Sequence, residues 1–244
     1  MVTKSQVKYI QSLGHKKFRD EEGVFVAEGP KIVGELLRAP QPAAAAAVCA
    51  QRLGSGWRIS FGTAIRRRGQ RIRAGKDFGA VHAQSGGGRF EKPSFPGPDW
   101  TSGLHLVLDG IQDPGNLGTI VRIADWFGVR QVLASPDSAD VFNPKAIQST
   151  MGSIGRVQVV YADPEVYLEN HPGLPLYAAV LEGKPIAEVG RVANGALIIG
   201  NESKGIRPGV MRLASHLITI PRVGHAESLN AAVATGIILS HIAG

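Results

Sequence analysis

The 244-residue sequence contains a single cysteine, Cys49, so it can close no intrachain disulfide and build no thiolate zinc cluster. It has no run of 18 or more apolar residues, the length a membrane-spanning helix needs, and no membrane partner is expected. The opening MVTKSQVKYIQSLGHKK lacks the apolar stretch of a signal peptide, so a cytoplasmic location is expected. The seven histidines show no metal-ligand spacing such as HExxH, and no metal is expected. Neither a GxGxxG fingerprint nor the GKS/T of a P-loop is present, which leaves the two common nucleotide signatures unsupported. No internal repeat is evident.

What is there begins with apolar material and charge. At 43% hydrophobic, the chain can bury one large or two small cores. A net charge of +7 points to a polyanionic partner, RNA or DNA. That charge is concentrated: residues 41–98 hold ten Lys and Arg against Asp77 and Glu91, so the rest of the chain sums to slightly below zero. The same stretch shows neither sustained alternation nor a 3.6-residue stripe. Three readings compete for it: a basic arm gripping RNA through the Arg66–Arg73 cluster, a solvated linker, and translation in a shifted reading frame across residues 39–90. The third is favoured, because a domain that starts with a strand and a helix should go on to bury them.

On either side the sequence is regular. TKSQVKYIQSLG reads as a helix closed by Gly14, GVFVAEG as a strand, and Pro30 opens the helix KIVGELLR. The prolines of FEKPSFPGPDW mark a boundary. Beyond it strands (LHLVLDG, VRQVLAS, RVQVVYA, LPLYAAV, ALIIG, LITI) alternate with helices (about 117–127, 144–150, PEVYLEN, RPGVMRLA, and one from Asn230). Alternation of this kind predicts a mainly parallel α/β sheet.

Three glycine-rich junctions carry the functional signal: LDGIQDPGNLGTIVRIADWFG (108–128), IIGNESKGI (198–206) and ITIPRVGHAESLNAAVATG (218–236). Each starts as an apolar run of strand length and breaks at a Gly/Asn/Pro cluster, and the first and third resume as helix. Strands of an open α/β sheet deliver such loops to one edge, where free main-chain N–H groups and close-approaching glycines build ligand sites. Taken singly, Asn116 reads as a helix cap or a site residue, Arg122 as a solvated or a functional cation, and Ser228 and Asn230 as caps, site residues or both.

Together the three junctions resemble the motifs of the SpoU/TrmH family of RNA ribose 2′-O-methyltransferases, within the SPOUT superfamily, over about residues 101–244. The resemblance implies a SPOUT-type sheet with a C-terminal trefoil knot, a rare exception to unknotted topology. It further implies an S-adenosylmethionine site within the knot and a homodimer. The opening KYIQSLGHKKFRDEEGVFVAEGPKIVGELL resembles the start of the family's small α/β substrate-binding domain. The implied organisation is a substrate domain over 1–100, departing from the family pattern at 39–90, and a methyltransferase domain over 101–244.

By the same resemblance Gly200, Ile220 and Leu229 are main-chain contacts to the methyl donor, and Asn116, Arg122, Glu202, Ser228 and Asn230 are the catalytic and RNA-handling positions. Arg122 is not a simple base, since a guanidinium rarely gives up its proton. Its two roles are a bidentate hold on the neighbouring phosphate and stabilisation of the developing alkoxide. The expected activity is methyl transfer to a ribose 2′-hydroxyl, of rRNA rather than tRNA because a separate N-terminal substrate domain is typical of the rRNA branch. The competing reading is a non-catalytic RNA-binding or ribosome-assembly protein on the same fold. A dinucleotide-dependent dehydrogenase is disfavoured by the missing glycine fingerprint.

Overall fold

A computed structural model describes residues 4–39, 45–53, 56–64, 86–95 and 99–243. They belong to two compact units, residues 1–95 with 142–156 and residues 96–141 with 157–244.

The first unit opens with α1 (Lys4–Ser12), α2 (Lys16–Glu22), β1 (Val24–Glu28) and α3 (Pro30–Arg38). Gly23, at φ 64°, ends α2 in the left-handed region where a side chain is disfavoured. Arg19 of α2 is 2% exposed and donates through Nη1 to the carbonyls of Leu13 and Gly14, satisfying groups left over just past the end of α1. Proline starts α3 as expected, and Ile32, Val33 and Leu36 turn one face of that helix into the core.

The sheet of this unit departs from the sequence expectation. Where no regular pattern was expected, β2 (Ala45–Leu53) and β3 (Gly56–Ala64) pair antiparallel over nine residues, and β4 (Gly86–Glu91) completes a four-stranded sheet in the order β1-β4-β2-β3. A signal was present: Trp57, Ile59 and Phe61 alternate with Arg58, Ser60 and Gly62, a period of two over six residues. It is short and flanked by Gly and Arg, and the alanines of β2 carry no apolar contrast at all. The Arg66–Arg73 cluster lies outside the described residues.

The second unit runs β5 (Gly103–Asp109), α4 (Pro114–Trp126) and β6 (Gln131–Ala134). The chain then supplies α5 (Pro144–Thr150) and a 3-10 turn (Ser153–Gly155) to the first unit, where Phe142 meets Phe25 at 5.2 Å between rings and Arg156 pairs with Glu35 at 3.2 Å. It resumes with β7 (Gln158–Tyr161), α6 (Pro164–Glu169), β8 (Leu176–Pro185), β9 (Asn194–Gly200), α7 (Pro208–Leu213), β10 (His216–Thr219) and α8 (Ala231–Ile242). All strand pairs of the six-stranded sheet are parallel, in the order β10-β8-β9-β5-β6-β7.

The two central strands, β5 and β9, are buried over nearly their whole length, which is why they read as continuous apolar runs rather than as alternation. Leu106, Val107, Leu108, Leu197 and Ile198 are completely inaccessible. Helix α8 lies against α4, with Gly236 facing Ile123. The strand order reverses at β5: β6 and β7 lie to one side, β9 and β8 to the other. Asp109 and Gly200 are therefore neighbours at the carboxyl ends of β5 and β9, the position where open α/β sheets bind their ligands. Among the described residues no helix is long and apolar enough to cross a membrane.

Candidate active site

The loop after β5 is built by its own glycine and by two serines. Gly110 sits at φ 78° and donates to Ser135 Oγ at 2.8 Å, and the Ile111 N–H donates to Ser138 Oγ at 3.1 Å. Helix α4 then starts at Pro114, earlier than the apolar pattern indicates, because Asp113 caps it by accepting the Asn116 N–H at 2.8 Å. The cap role open to Asn116 is thus taken by Asp113. The Asn116 amide is left to reach beyond its helix.

It reaches the other two junctions. Asn116 Nδ2 donates to Glu202 Oε1 at 2.6 Å, and Asn116 Oδ1 accepts from Asn230 Nδ2 at 2.9 Å. Asn230 also caps α8, its Oδ1 accepting from the N–H groups of Ala232 at 2.9 Å and Val233 at 3.3 Å. Capping and network membership coexist in this one residue. Residues 116, 202 and 230, far apart in the chain, form one hydrogen-bonded row.

Glu202 belongs to a tight loop that leaves β9. A Cβ on Gly200 would lie 2.4 Å from the Gly205 carbonyl carbon and 2.5 Å from the Ile206 nitrogen, so only glycine allows the chain to fold back here. Asn201 and Gly205 exchange main-chain hydrogen bonds of 3.0 and 2.9 Å. Ile220 follows β10 and is partly buried, while residues 221–230 are exposed throughout. Leu229 is 46% exposed, and its main-chain N–H and C=O have no partner among the described residues. The Ser228 hydroxyl is likewise exposed and without a partner among them. Arg122, on the third turn of α4, is exposed, and its guanidinium has none either. Three of the eight residues are therefore tied together, and Gly200 stands two residues before one of them. Arg122, Ser228, Leu229 and Ile220 are open positions not bonded to the row.

Several polar residues at this edge escape a sequence reading. Asp109 is 1% exposed and accepts from the main chain and side chain of Arg207, which also reaches Asp163 Oδ2 at 3.3 Å. Burial works to raise the Asp163 pKa, yet its carboxyl is held below the usual range by the Val166 N–H and the Arg207 guanidinium. Asp109 and Asn201 lie inside the quoted junctions, one at the end of a strand and the other in the turn that follows one, positions with ordinary local readings. Nothing local marks Arg207. Among the described residues no cluster of His, Cys, Asp and Glu is suited to a metal ion. A separate cavity of about 390 Å³, bordered by Trp100, His171 and Asn194, lies at the opposite, amino-terminal edge of the strands and includes none of the eight residues.

A parallel α/β sheet with a polar row across three glycine-rich loops at its switch point has known counterparts. The family model described as SpoU rRNA methylase matches residues 103–240, and the chain belongs to that family. A second model, described as an MRM3-like substrate binding domain, matches residues 4–73. This match runs past residue 38 into the segment 39–90. The 23S rRNA (guanosine(2553)-2′-O)-methyltransferase of Bacillus subtilis is 37% identical over 142 residues, covering 57% of this chain and 57% of that protein. The 23S rRNA (uridine(2479)-2′-O)-methyltransferase of Streptomyces viridochromogenes is 32% identical over 152 residues, covering 56% and 50%. The chain thus spans little more than half the length of the curated relatives it matches. Among solved structures, a TrmH-family protein of Porphyromonas gingivalis aligns over 99% of this chain and 98% of its own, with TM-score 0.76 and 33% identity. An AdoMet-bound rRNA methyltransferase of Sinorhizobium meliloti aligns over 99% and 95%, with TM-score 0.76 and 26% identity.

Proposed function

We propose that the protein transfers a methyl group from S-adenosylmethionine to a ribose 2′-hydroxyl of RNA, with rRNA as the substrate rather than tRNA. The observation that carries this reading is the row Glu202–Asn116–Asn230, which joins all three junctions at the switch point of the sheet. The names of the rRNA 2′-O-methyltransferase relatives support it.

The residues fit the donor. Unpaired main-chain groups at Leu229, beside the exposed loop 221–230 and the glycine-dependent turn at Gly200, offer the N–H and C=O that an adenine edge needs, with Ile220 at the same edge. S-adenosylmethionine supplies an electrophilic methyl group. The protein's part is to align the ribose oxygen and lower the cost of its developing negative charge. Arg122, a guanidinium with no carboxylate partner among the described residues, holds the adjacent phosphate and stabilises that charge. Glu202, Asn116 and Asn230 fix the floor of the site, and Ser228 contacts the RNA.

The first unit binds the substrate, a reading supported by the MRM3-like match. The second unit carries the family's trefoil knot and forms a homodimer through α4 and α8, where Trp126 is 84% and Val233 50% exposed. The protein works in the cytoplasm. The direct test is transfer of labelled methyl groups from S-adenosylmethionine into total RNA, with the product mapped to ribose. Incorporation by the wild-type protein and its loss in Arg122→Ala are expected; RNA binding with no labelling of any RNA instead supports a non-catalytic RNA-binding protein.

A further inference from the structure

The row Glu202–Asn116–Asn230 depends on a loop with little apolar anchorage. Residues 202–205 are exposed, and only Ile206 at its far end enters the core. Its order comes from polar contacts at both ends, and both ends are held by the last residue of β5 and the residue after it. Asp109 accepts the Arg207 main-chain N–H on Oδ2 and Arg207 Nε on Oδ1, each at 2.7 Å. Gly110 gives its carbonyl to Asn201 Nδ2 at 2.7 Å. Asn201 Oδ1 in turn accepts the N–H groups of Ser203 at 2.9 Å and Lys204 at 3.0 Å.

We infer that Asn201 and Arg207 are positioning residues that clamp loop 201–207 to Asp109 and Gly110, so that the Glu202 carboxylate meets Asn116. The inference rests on the methyl-transfer reading above and adds to it two residues outside the reacting set.

The physical case is one of tolerance. A productive site holds its groups to within about 0.5 Å, which a solvated glycine- and serine-bearing loop cannot do unaided. Two consecutive β5-end residues gripping the first and last residues of the loop remove its freedom to swing. Arg207 meets the buried carboxylate with its main-chain N–H on one oxygen and Nε on the other, while Nη1 reaches Asp163; a lysine in its place keeps the charge and the main-chain bond but cannot present Nε and Nη1 to two carboxylates at once. Asn201 uses both ends of its amide, as donor to one junction and as double acceptor within the other.

The test uses the full-length protein and the variants Asn201→Ala and Arg207→Lys. Amide hydrogen exchange at residues 203–205 is expected to quicken at least tenfold in each, while β5 and β9 stay protected; unchanged exchange in the loop overturns the clamp. In the methyl-transfer assay each variant is expected to lose at least tenfold in kcat with RNA affinity unchanged. Combined with Glu202→Gln, each is expected to add no further loss, because it acts through Glu202. Losses that multiply mean action independent of Glu202 and sink the proposal. Should Arg207→Lys fail to fold, Asn201→Ala, which strands no buried charge, decides both arms. If the wild-type protein methylates no RNA, the functional reading falls, and the exchange measurement alone judges the clamp.

Discussion

The first unit carries 19 Lys and Arg against 7 Asp and Glu, and the second carries 8 against 13. One is a strongly basic body and the other an acidic one, and the candidate active site lies in the acidic one. For a polyanionic substrate this separates two tasks. On the proposed function, long-range attraction is expected of the first unit, and weak nonspecific contact of the second. Arg207 and Arg212 are engaged with Asp109, Asp163 and Glu165, but Arg122 has no carboxylate partner among the described residues. Arg130, Arg191 and Arg222 of the same unit also lack a carboxylate partner among the described residues, so it is the place of Arg122 in the proposed function, and not its being unpaired, that singles it out.

The division also sharpens what the sequence says about charge. Residues 41–98 account for most of the excess, yet residues 142–156, with Lys145 and Arg156 and no acid, belong to the basic unit as well. Their position in the chain, inside the stretch that resembles the methyltransferase domain, hides this.

The largest expected effect tests the division from the acidic side. Arg122→Ala should lower kcat for methyl transfer by roughly a hundredfold to a thousandfold, the scale of losing one charge-stabilising group. RNA affinity, measured by filter binding, should change by only about the worth of one phosphate contact. A loss of binding as large as the loss of rate breaks the comparison. From the basic side, replacing Arg66, Arg67 and Arg68 by alanine should weaken RNA binding about tenfold or more. The salt dependence of binding should become shallower, by about one unit of slope for each phosphate contact removed. Single-turnover rates at saturating RNA should hold.

Acidification gives a smaller test. His105 of β5 is 4% exposed and stacked on Trp100 at 4.7 Å, and burial pushes its pKa below the usual imidazole value. Its unfolded form binds a proton more readily than its folded form, so the stabilising effect of a neutral His105 is complete above about pH 6.5 and is lost as pH falls from there through the folded pKa. In the first unit Asp20, hydrogen-bonded by Lys16 and Lys92, has a lowered pKa and loses its contribution only as the pH falls below the ordinary carboxylate range. The second unit should therefore soften first between pH 7 and 5, with Trp100 fluorescence as its reporter. His105→Phe should flatten the dependence of melting temperature on pH; an unaltered slope means that some other group governs it.

The fold of the second unit was legible because parallel strands buried on both faces write themselves as apolar runs, LHLVLDG and ALIIG, between proline-started helices. The first unit was half legible. Helix α2, KKFRDEE, has almost no apolar stripe and is held in place through Arg19, and β2 opens on a run of alanines, so neither carries a periodic signal. In the site, Asn116, Glu202 and Asn230 were legible through the resemblance of the three junctions to the family's motifs; read singly, Asn116 and Asn230 could equally be helix caps. The clamp was not legible, because Asp109 and Arg207 are 98 positions apart and each has an ordinary local reading.

The same contrast between local and distant roles yields the smallest prediction. Asp113 and Asn116 sit three residues apart at the start of α4, and sequence alone cannot say which one caps the helix. The geometry separates them: Asp113 satisfies a helix N–H, and Asn116 bonds only to Glu202 and Asn230 through its side chain. Asp113→Ala should cost about 1 kcal/mol of stability, the usual worth of a cap. That is roughly 2–4 °C in melting temperature for a protein of this size. Asn116→Ala, which leaves the cap intact, should shift the melting temperature less and the methyl-transfer rate more. If Asn116→Ala instead melts like Asp113→Ala at an unchanged rate, its side chain serves the helix alone and the three junctions are not one site.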